Sequence, residues 1–240
     1  MKRSVALWVA LAFFAANSAM AADLSPRVYT KAPPPVPVAS WTGCYLGANV
    51  GYGWSHVDWY DPLAGGDVGS DTSGGVVGGG QVGCDYQNGN FVVGIQDMFD
   101  GADISGSHPY TGAPAFTDRS RLSWFDTLTG RVGYTPIPST LFYVKGGAAW
   151  AHDRFTETCT LAGMGCPGQA NPTRSGWTVG GGVEYMLAPQ WSVLLEYDFM
   201  GFGRRTSTLN YVDGTTYNYN IQQDVQTLLV GLNYRLPMFR

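Results

Sequence analysis

His56 has Ser55 and Asp58 beside it, and His152 is followed by Asp153. A histidine, a hydroxyl and a carboxylate held in one place would suit nucleophilic catalysis. All three histidines, His108 included, fall at strand ends or in Gly-rich connections, which rarely hold such geometry. Each is read as a solvated loop residue, and the same placement argues against haem or metal ligation. Gly78, Gly80 and Gly83 satisfy Gly-x-Gly-x-x-Gly, the fingerprint of a dinucleotide-binding turn, but no helix and no suitably spaced acid follow. In a sheet such glycines leave room for bulky neighbours and for strong curvature. No catalytic residue, cofactor or metal is expected.

The elements that would position any site begin with an export signal. Met1-Lys2-Arg3 is a positive start, Val5 to Ala16 an apolar core and Ala19-Met20-Ala21 a small-residue cleavage site, so residues 1–21 read as a signal peptide. No later apolar run has the ~20 residues of a spanning helix, and with the first cysteine at Cys44 there is no lipobox. Removing Lys2 and Arg3 leaves 12 basic against 18 acidic residues. That balance excludes nucleic acid, which is bound chiefly by neutralising phosphates. Residues 22–40 are proline-loaded and read as an extended periplasmic tether. Four cysteines in an exported chain favour disulfides. Cys159 and Cys166 bracket a Gly/Pro-rich stretch and are expected to be joined in an oxidising compartment.

From Trp41 onward the texture is period-two alternation. Eight segments carry it: Leu46 to Trp54, Val76 to Tyr86, Phe91 to Phe99, Leu122 to Tyr134, Leu141 to Ala151, Gly176 to Met186, Gln190 to Phe199 and Val225 to Leu236. One face is apolar and the other is mostly Gly, Thr, Ser and Asn. A soluble barrel would show Lys and Glu on its polar faces, whereas small residues suit a narrow interior. Short connections follow the second, fourth and sixth segments; long ones, near 55–73, 100–120, 152–173 and 200–222, follow the odd ones. The expected fold is an all-β, eight-stranded antiparallel transmembrane barrel over 41–240, with short periplasmic turns and four long extracellular loops. Aromatics near the strand ends (Trp41, Trp54, Tyr86, Trp124, Tyr134, Trp150, Trp177, Tyr185, Trp191, Tyr234) read as interfacial girdles.

Six motifs carry a family resemblance: Trp41 to Gly47, Gly78 to Gly83, Gly130 to Tyr134, Leu141 to Gly147, Gly176 to Tyr185 and Val230 to Arg235. With the Tyr29 to Pro33 lead-in, the chain resembles the small outer-membrane immunogenic β-barrels of alphaproteobacteria, the "porin family", similar in architecture to the OmpA membrane domain. The resemblance implies a Gram-negative outer-membrane location, contact with outer-membrane lipid and lipopolysaccharide, and insertion by the barrel-assembly machinery. Family members commonly end on the last strand's aromatic, whereas Pro237 to Arg240 follow Leu236 here, so the assembly signal would be Gly231, Tyr234 and Leu236. Cys44 and Cys84 stand where the family usually has aromatics.

A first hairpin with Trp54 near Gly74 sets Cys44 opposite Cys84, outward and near the periplasmic rim, a placement that suits a disulfide about as well as an unbridged pair. By parity Asp97 and Asp126 point toward lipid, where a mid-membrane carboxylate is costly; they belong near the outer rim, or a bulge turns them inward. Arg131, Lys145, Glu184 and Glu196 point inward. Counting back from the turns puts Arg131 opposite Lys145 and Glu184 opposite Glu196, and the basic pair should meet the acidic pair across the lumen. The functional reading is a non-enzymatic envelope protein presenting acidic loops (Asp58, Asp61, Asp67 and Asp71 in the first) to host or environmental surface ligands. A narrow passive pore is the alternative, and a lipid A-modifying enzyme the third reading.

Overall fold

β-Branched and aromatic residues alternating with small ones over long stretches favour strand, and in the computed structural model every element among the described residues is a strand. It describes residues 39–111, 113, 115–160 and 166–237. The signal peptide expected over residues 1–21, the expected tether as far as residue 38 and the tail from Met238 lie outside the described residues. The strands are β1 (Gly43–Asp61), β2 (Gly66–Asn88), β3 (Phe91–Pro109), β4 (Phe116–Ile137), β5 (Thr140–Cys159), a short β6 (Gly168–Ala170), β7 (Thr173–Ala188), β8 (Trp191–Tyr211) and β9 (Thr216–Arg235). Each long strand pairs antiparallel with its sequence neighbour, and β1 pairs with β9 as well as β2, so the sheet closes on itself. Closure leaves no long edge to aggregate. The β6 segment continues the path of β7 beyond Asn171 and Pro172, filling the gap between β5 and β8.

The strands are much longer than a membrane requires. The lipid-facing band on β3 runs from Phe91 to Phe99, close to the ~9–11 residues that cross a bilayer, yet β3 continues to Pro109. The segments expected to be long loops are therefore mostly strand: the connections at that rim shrink to residues 62–65, 110–115, 160–167 and 212–215. Backbone hydrogen bonding simply continues out of the membrane. At the opposite rim the turns are Gly89-Asn90, Pro138-Ser139 and Pro189-Gln190, with Gly89 at φ +60° where only glycine sits without strain.

Register corrects one expectation. Glu184 faces Leu194, and Gly182 faces Glu196, so the β7–β8 register lies two residues from the expected one, one of them introduced by an irregularity between Met186 and Ala188. The two acids are thus staggered, and no like-charge rung forms. Arg131 does face Lys145 on β4–β5. On β1–β2, Trp54 faces Gly74 and Cys44 faces Cys84.

The girdles are visible as outward aromatic pairs, Phe91 on Tyr134 and Trp191 on Tyr234 near the turns, Phe99 on Trp124 and Trp177 on Phe199 at the other level. Trp41 is a correction: it is fully buried inside the turn end of the barrel rather than in a girdle. Inside, the Gly-rich run of β2 makes room for its neighbours. A Cβ on Gly79 would strike the Asp100 carboxylate, and one on Gly83 the Tyr45 hydroxyl.

Candidate functional site

Inside the barrel the strands gather buried ionisable side chains, and the interior is filled in layers. At the turn end Trp41 donates its indole N–H to the Pro138 carbonyl (3.0 Å), and the Arg235 guanidinium lies 5.0 Å from its ring centre and donates to its carbonyl. Above this stopper the polar inward positions of six strands meet. Arg131 grips both oxygens of Asp85 (Nε to Oδ1 2.8 Å, Nη2 to Oδ2 2.5 Å) and reaches Glu184 at 3.3 Å. Arg235 joins the same two acids, at 3.2 Å from Asp85 and 3.7 Å from Glu184. Glu184 also accepts from Ser192 and Asn233. Lys145 lies 2.7 Å from Glu196 and 3.2 Å from Asp198, and Tyr143 donates to Glu196 at 2.6 Å.

All four residues expected to meet in the lumen are therefore in this cluster, but Asp85, Asp198 and Arg235 are members that alternation alone did not single out. The signal was present, since all three lie on the polar faces of their strands; only barrel closure brings β2, β8 and β9 against β4. The bidentate grip of Arg131 on Asp85 is one of the conditions under which a buried ion pair offsets its desolvation.

At the level of the outer girdle an apolar layer takes over, including Met98, Ile104, Phe125, Met200, Phe202 and Val225, all buried. Higher still Arg174 donates to Gln223 and to the Ile221 carbonyl, and Gln223 donates to Asp153. His108 stands 3.6 Å from both Asp71 and Asp118. Burial, then repulsion from Glu157, raises the Asp118 carboxyl to about 7. A second apolar layer follows, with Trp59 edge-on to Phe155 and Tyr219. The outer mouth is a cup of about 390 Å³ lined by Asp61, Tyr110, Phe116, Glu157, Tyr211 and Tyr217. Tyr110 and Tyr217 donate to Asp61, and Tyr211 and Tyr219 to Glu157. Burial pushes Asp61 up, but hydrogen bonds from Tyr110, the Ala64 amide, Tyr217 and the Leu63 amide prevail and hold it below the usual carboxylate range.

The histidine constellations do not assemble. Ser55 is inward and buried whereas His56 is outward, 3.3 Å from Asp58 and 2.9 Å from Thr72. His152 is likewise outward beside Thr173, with Asp153 on the inner face. The expectation of three solvated loop histidines also needs correcting: all three lie on strands, and His108 is buried. Consecutive strand residues point to opposite faces, so adjacency in sequence works against these pairs.

A closed antiparallel barrel with an apolar outer band, two aromatic girdles and a filled polar lumen has the architecture of an outer-membrane protein. The family model of the outer membrane protein beta-barrel domain matches residues 9–237. The chain belongs to that family. The 31 kDa outer-membrane immunogenic protein of Brucella melitensis is 33% identical, over 97% of this chain and 99% of that protein. The 22 kDa outer membrane protein of Rhizobium leguminosarum is 27% identical over 84% of this chain and 82% of its own length. Among solved structures, the outer membrane protease OmpT of Escherichia coli covers 82% of this chain and 98% of its own, at 9% identity and a TM-score of 0.49, a likeness too slight to carry function. This family member is an outer-membrane protein, as its relatives are.

Both cysteine pairs are bridged. Cys44 and Cys84 lie on the outer face with Cα atoms 3.9 Å apart, and Cys159 and Cys166, 5.9 Å apart, clip the third connection of the outer rim. On the closing strand Gly231 is inward against Gln81 and Leu194, Tyr234 is outward on Trp191, and the Leu236 amide donates to the Cys44 carbonyl. Asp97 and Asp126 both face outward at the girdle end of the lipid band, Asp97 opposite Leu128 and Asp126 opposite Phe99. Of the first connection's acids, Asp61 and Asp71 turn inward and are buried, so only part of the acidity expected on the exterior reaches it.

Proposed function

We propose that this outer-membrane barrel is non-enzymatic, contributes to envelope integrity and displays its protruding hairpins as a surface for external ligands. The observation that carries this reading is the lumen, occupied at successive levels by the Trp41 stopper, the Arg131–Asp85–Glu184–Arg235 network and the apolar layer around Phe125. A passage for solutes would have to cross all three, which speaks against the narrow-pore reading. Ser55 and His56 on opposite faces speak against acyl-transfer chemistry on lipid A. Gly231 and Tyr234 on the closing strand, with Leu236 directly after it, are the signal assigned to the barrel-assembly machinery.

The test is electrical. Purified protein in planar bilayers is expected to give no stable conductance, and Glu184→Ala/Glu196→Ala is expected to lower the barrel's resistance to urea. Large, stable, cation-selective conductance in the native protein, lost in that double variant, would overturn the proposal in favour of a pore. A deletion strain should show raised permeability to bulky antibiotics with unchanged lipid A.

A further inference from the structure

On the outer wall above the girdle, β4 and β5 present three arginines outward within neighbouring rungs: Arg121 directly faces Arg154, and Arg119 faces Thr156. All three are exposed. Like charges directly opposite each other destabilise a strand pair, and little nearby compensates. Arg121 meets Asp103 at 3.1 Å, itself exposed, and Arg154, among the described residues, donates to the neutral Asn171 amide oxygen at 3.1 Å. Two adjoining grooves, of about 430 and 200 Å³, share Arg119 and Arg121 and are lined otherwise by hydroxyls and small residues, apart from Asp103 and Arg154. Guanidinium forks beside hydroxyl donors are the chemistry of a phosphate site.

Height on the barrel selects the phosphate. Trp124 pairs with His152, rings stacked at 5.6 Å, at the top of the lipid band. Arg121 and Arg154 follow within about three residues at ~3.4 Å each. That is about 10 Å or less above the aromatic interface, the level of lipid head groups.

We propose that Arg119, Arg121 and Arg154 form a docking site for the phosphates of an outer-leaflet phosphoglycolipid, with Arg121 and Arg154 sharing one phosphate across the β4–β5 rung. Bound phosphate turns the repulsive rung into a bridged one, and Asp103 competes for Arg121 when the lipid is absent. The proposal rests on the outer-membrane location and not on the closed lumen, so a conducting barrel would leave it standing.

The test measures binding of lipopolysaccharide to the full-length protein in zwitterionic detergent, against the same lipopolysaccharide with its lipid A phosphates removed enzymatically and against inorganic phosphate. Removing the phosphates, or the triple change Arg119→Gln/Arg121→Gln/Arg154→Gln, should weaken binding by about tenfold for each charge-assisted hydrogen bond removed. The triple Lys variant should keep an intermediate affinity, and Asp103→Asn, which removes the competing anion, should tighten binding. Arg204→Gln/Arg205→Gln on β8 is the control for the double change Arg121→Gln/Arg154→Gln, removes the same two charges, and should keep native affinity where that double change weakens it. Native affinity in the triple Gln variant, equal affinity for dephosphorylated lipid, or full competition by millimolar inorganic phosphate would each overturn the proposal. Because a misfolded variant cannot bind more tightly than native protein, an unchanged Asp103→Asn affinity also counts against it.

Discussion

In the membrane-spanning half β1 sends Gly47, Asn49 and Gly51 inward and Leu46, Val50 and Tyr52 outward; a few residues later the protruding half sends Val57 and Trp59 inward and His56 and Asp58 outward. Strand β5 repeats the inversion, from Lys145 inside and Val144 outside to Phe155 inside and Arg154 outside. Backbone pairing runs through the change without a break in parity on either strand's inner face. What changes is the solvent. In lipid, apolar side chains lose nothing by facing out, so the lower half takes its interior cohesion from ion pairs and hydrogen bonds. In water the hydrophobic effect acts again, and the upper half is built like a small soluble barrel, with Trp59, Phe155, Leu209 and Ile221 as its core.

The two halves should therefore fail differently. Arg131→Ala leaves Asp85 and Glu184 buried with less compensation, and should cost about 3–5 kcal/mol of whole-barrel stability in urea titrations followed by the heat-modified gel band. If the loss is below about 1 kcal/mol, the lower half does not depend on its ions. Trp59→Ala removes a large core side chain, about 3–4 kcal/mol by size, but the damage should stay in the upper half. Protease should then cut the protruding hairpins while the membrane-protected fragment keeps its folded mobility; cooperative loss of the entire barrel would contradict the division.

Outward charges probe the boundary directly. Val50→Arg faces lipid and should cost about 2–4 kcal/mol near the midplane, whereas Asp58→Arg faces water and should change stability by about 0.5 kcal/mol or less. Similar effects at the two positions would mean that the membrane boundary lies elsewhere. The smallest effect is a pH slope. Asp118 binds its proton more tightly when folded, with a pKa of about 7 against the ordinary 3.8, so its contribution is complete below about pH 4 and is lost as pH rises through 7. His108, Asp71 and Glu157 face it. Asp118→Asn should stabilise the upper half at pH 8 relative to native protein and flatten hydrogen-exchange protection between pH 5 and 8. A native slope in that variant would assign the titration to its neighbours.

Alternation by itself determined the eight membrane crossings, the tight turns and the sidedness of Arg131, Lys145, Glu184 and Glu196, because a period-two pattern in lipid allows one assignment of faces. The same rule, apolar outward, made the upper strands illegible. Beyond Trp54, Phe99 and Trp150 the pattern inverts, and a strand whose polarity reverses looks like a loop to any test that keeps one sign. Contacts across the lumen needed the closed barrel. Asp85, Asp198 and Arg235 are ordinary polar-face residues in sequence, and only the β1–β9 closure and the irregular β7–β8 register set them among the cations and acids of their neighbours. The alternation of types is local and survives in the one-dimensional string, while the partner of each buried charge is fixed by strand tilt and closure, which no single segment contains.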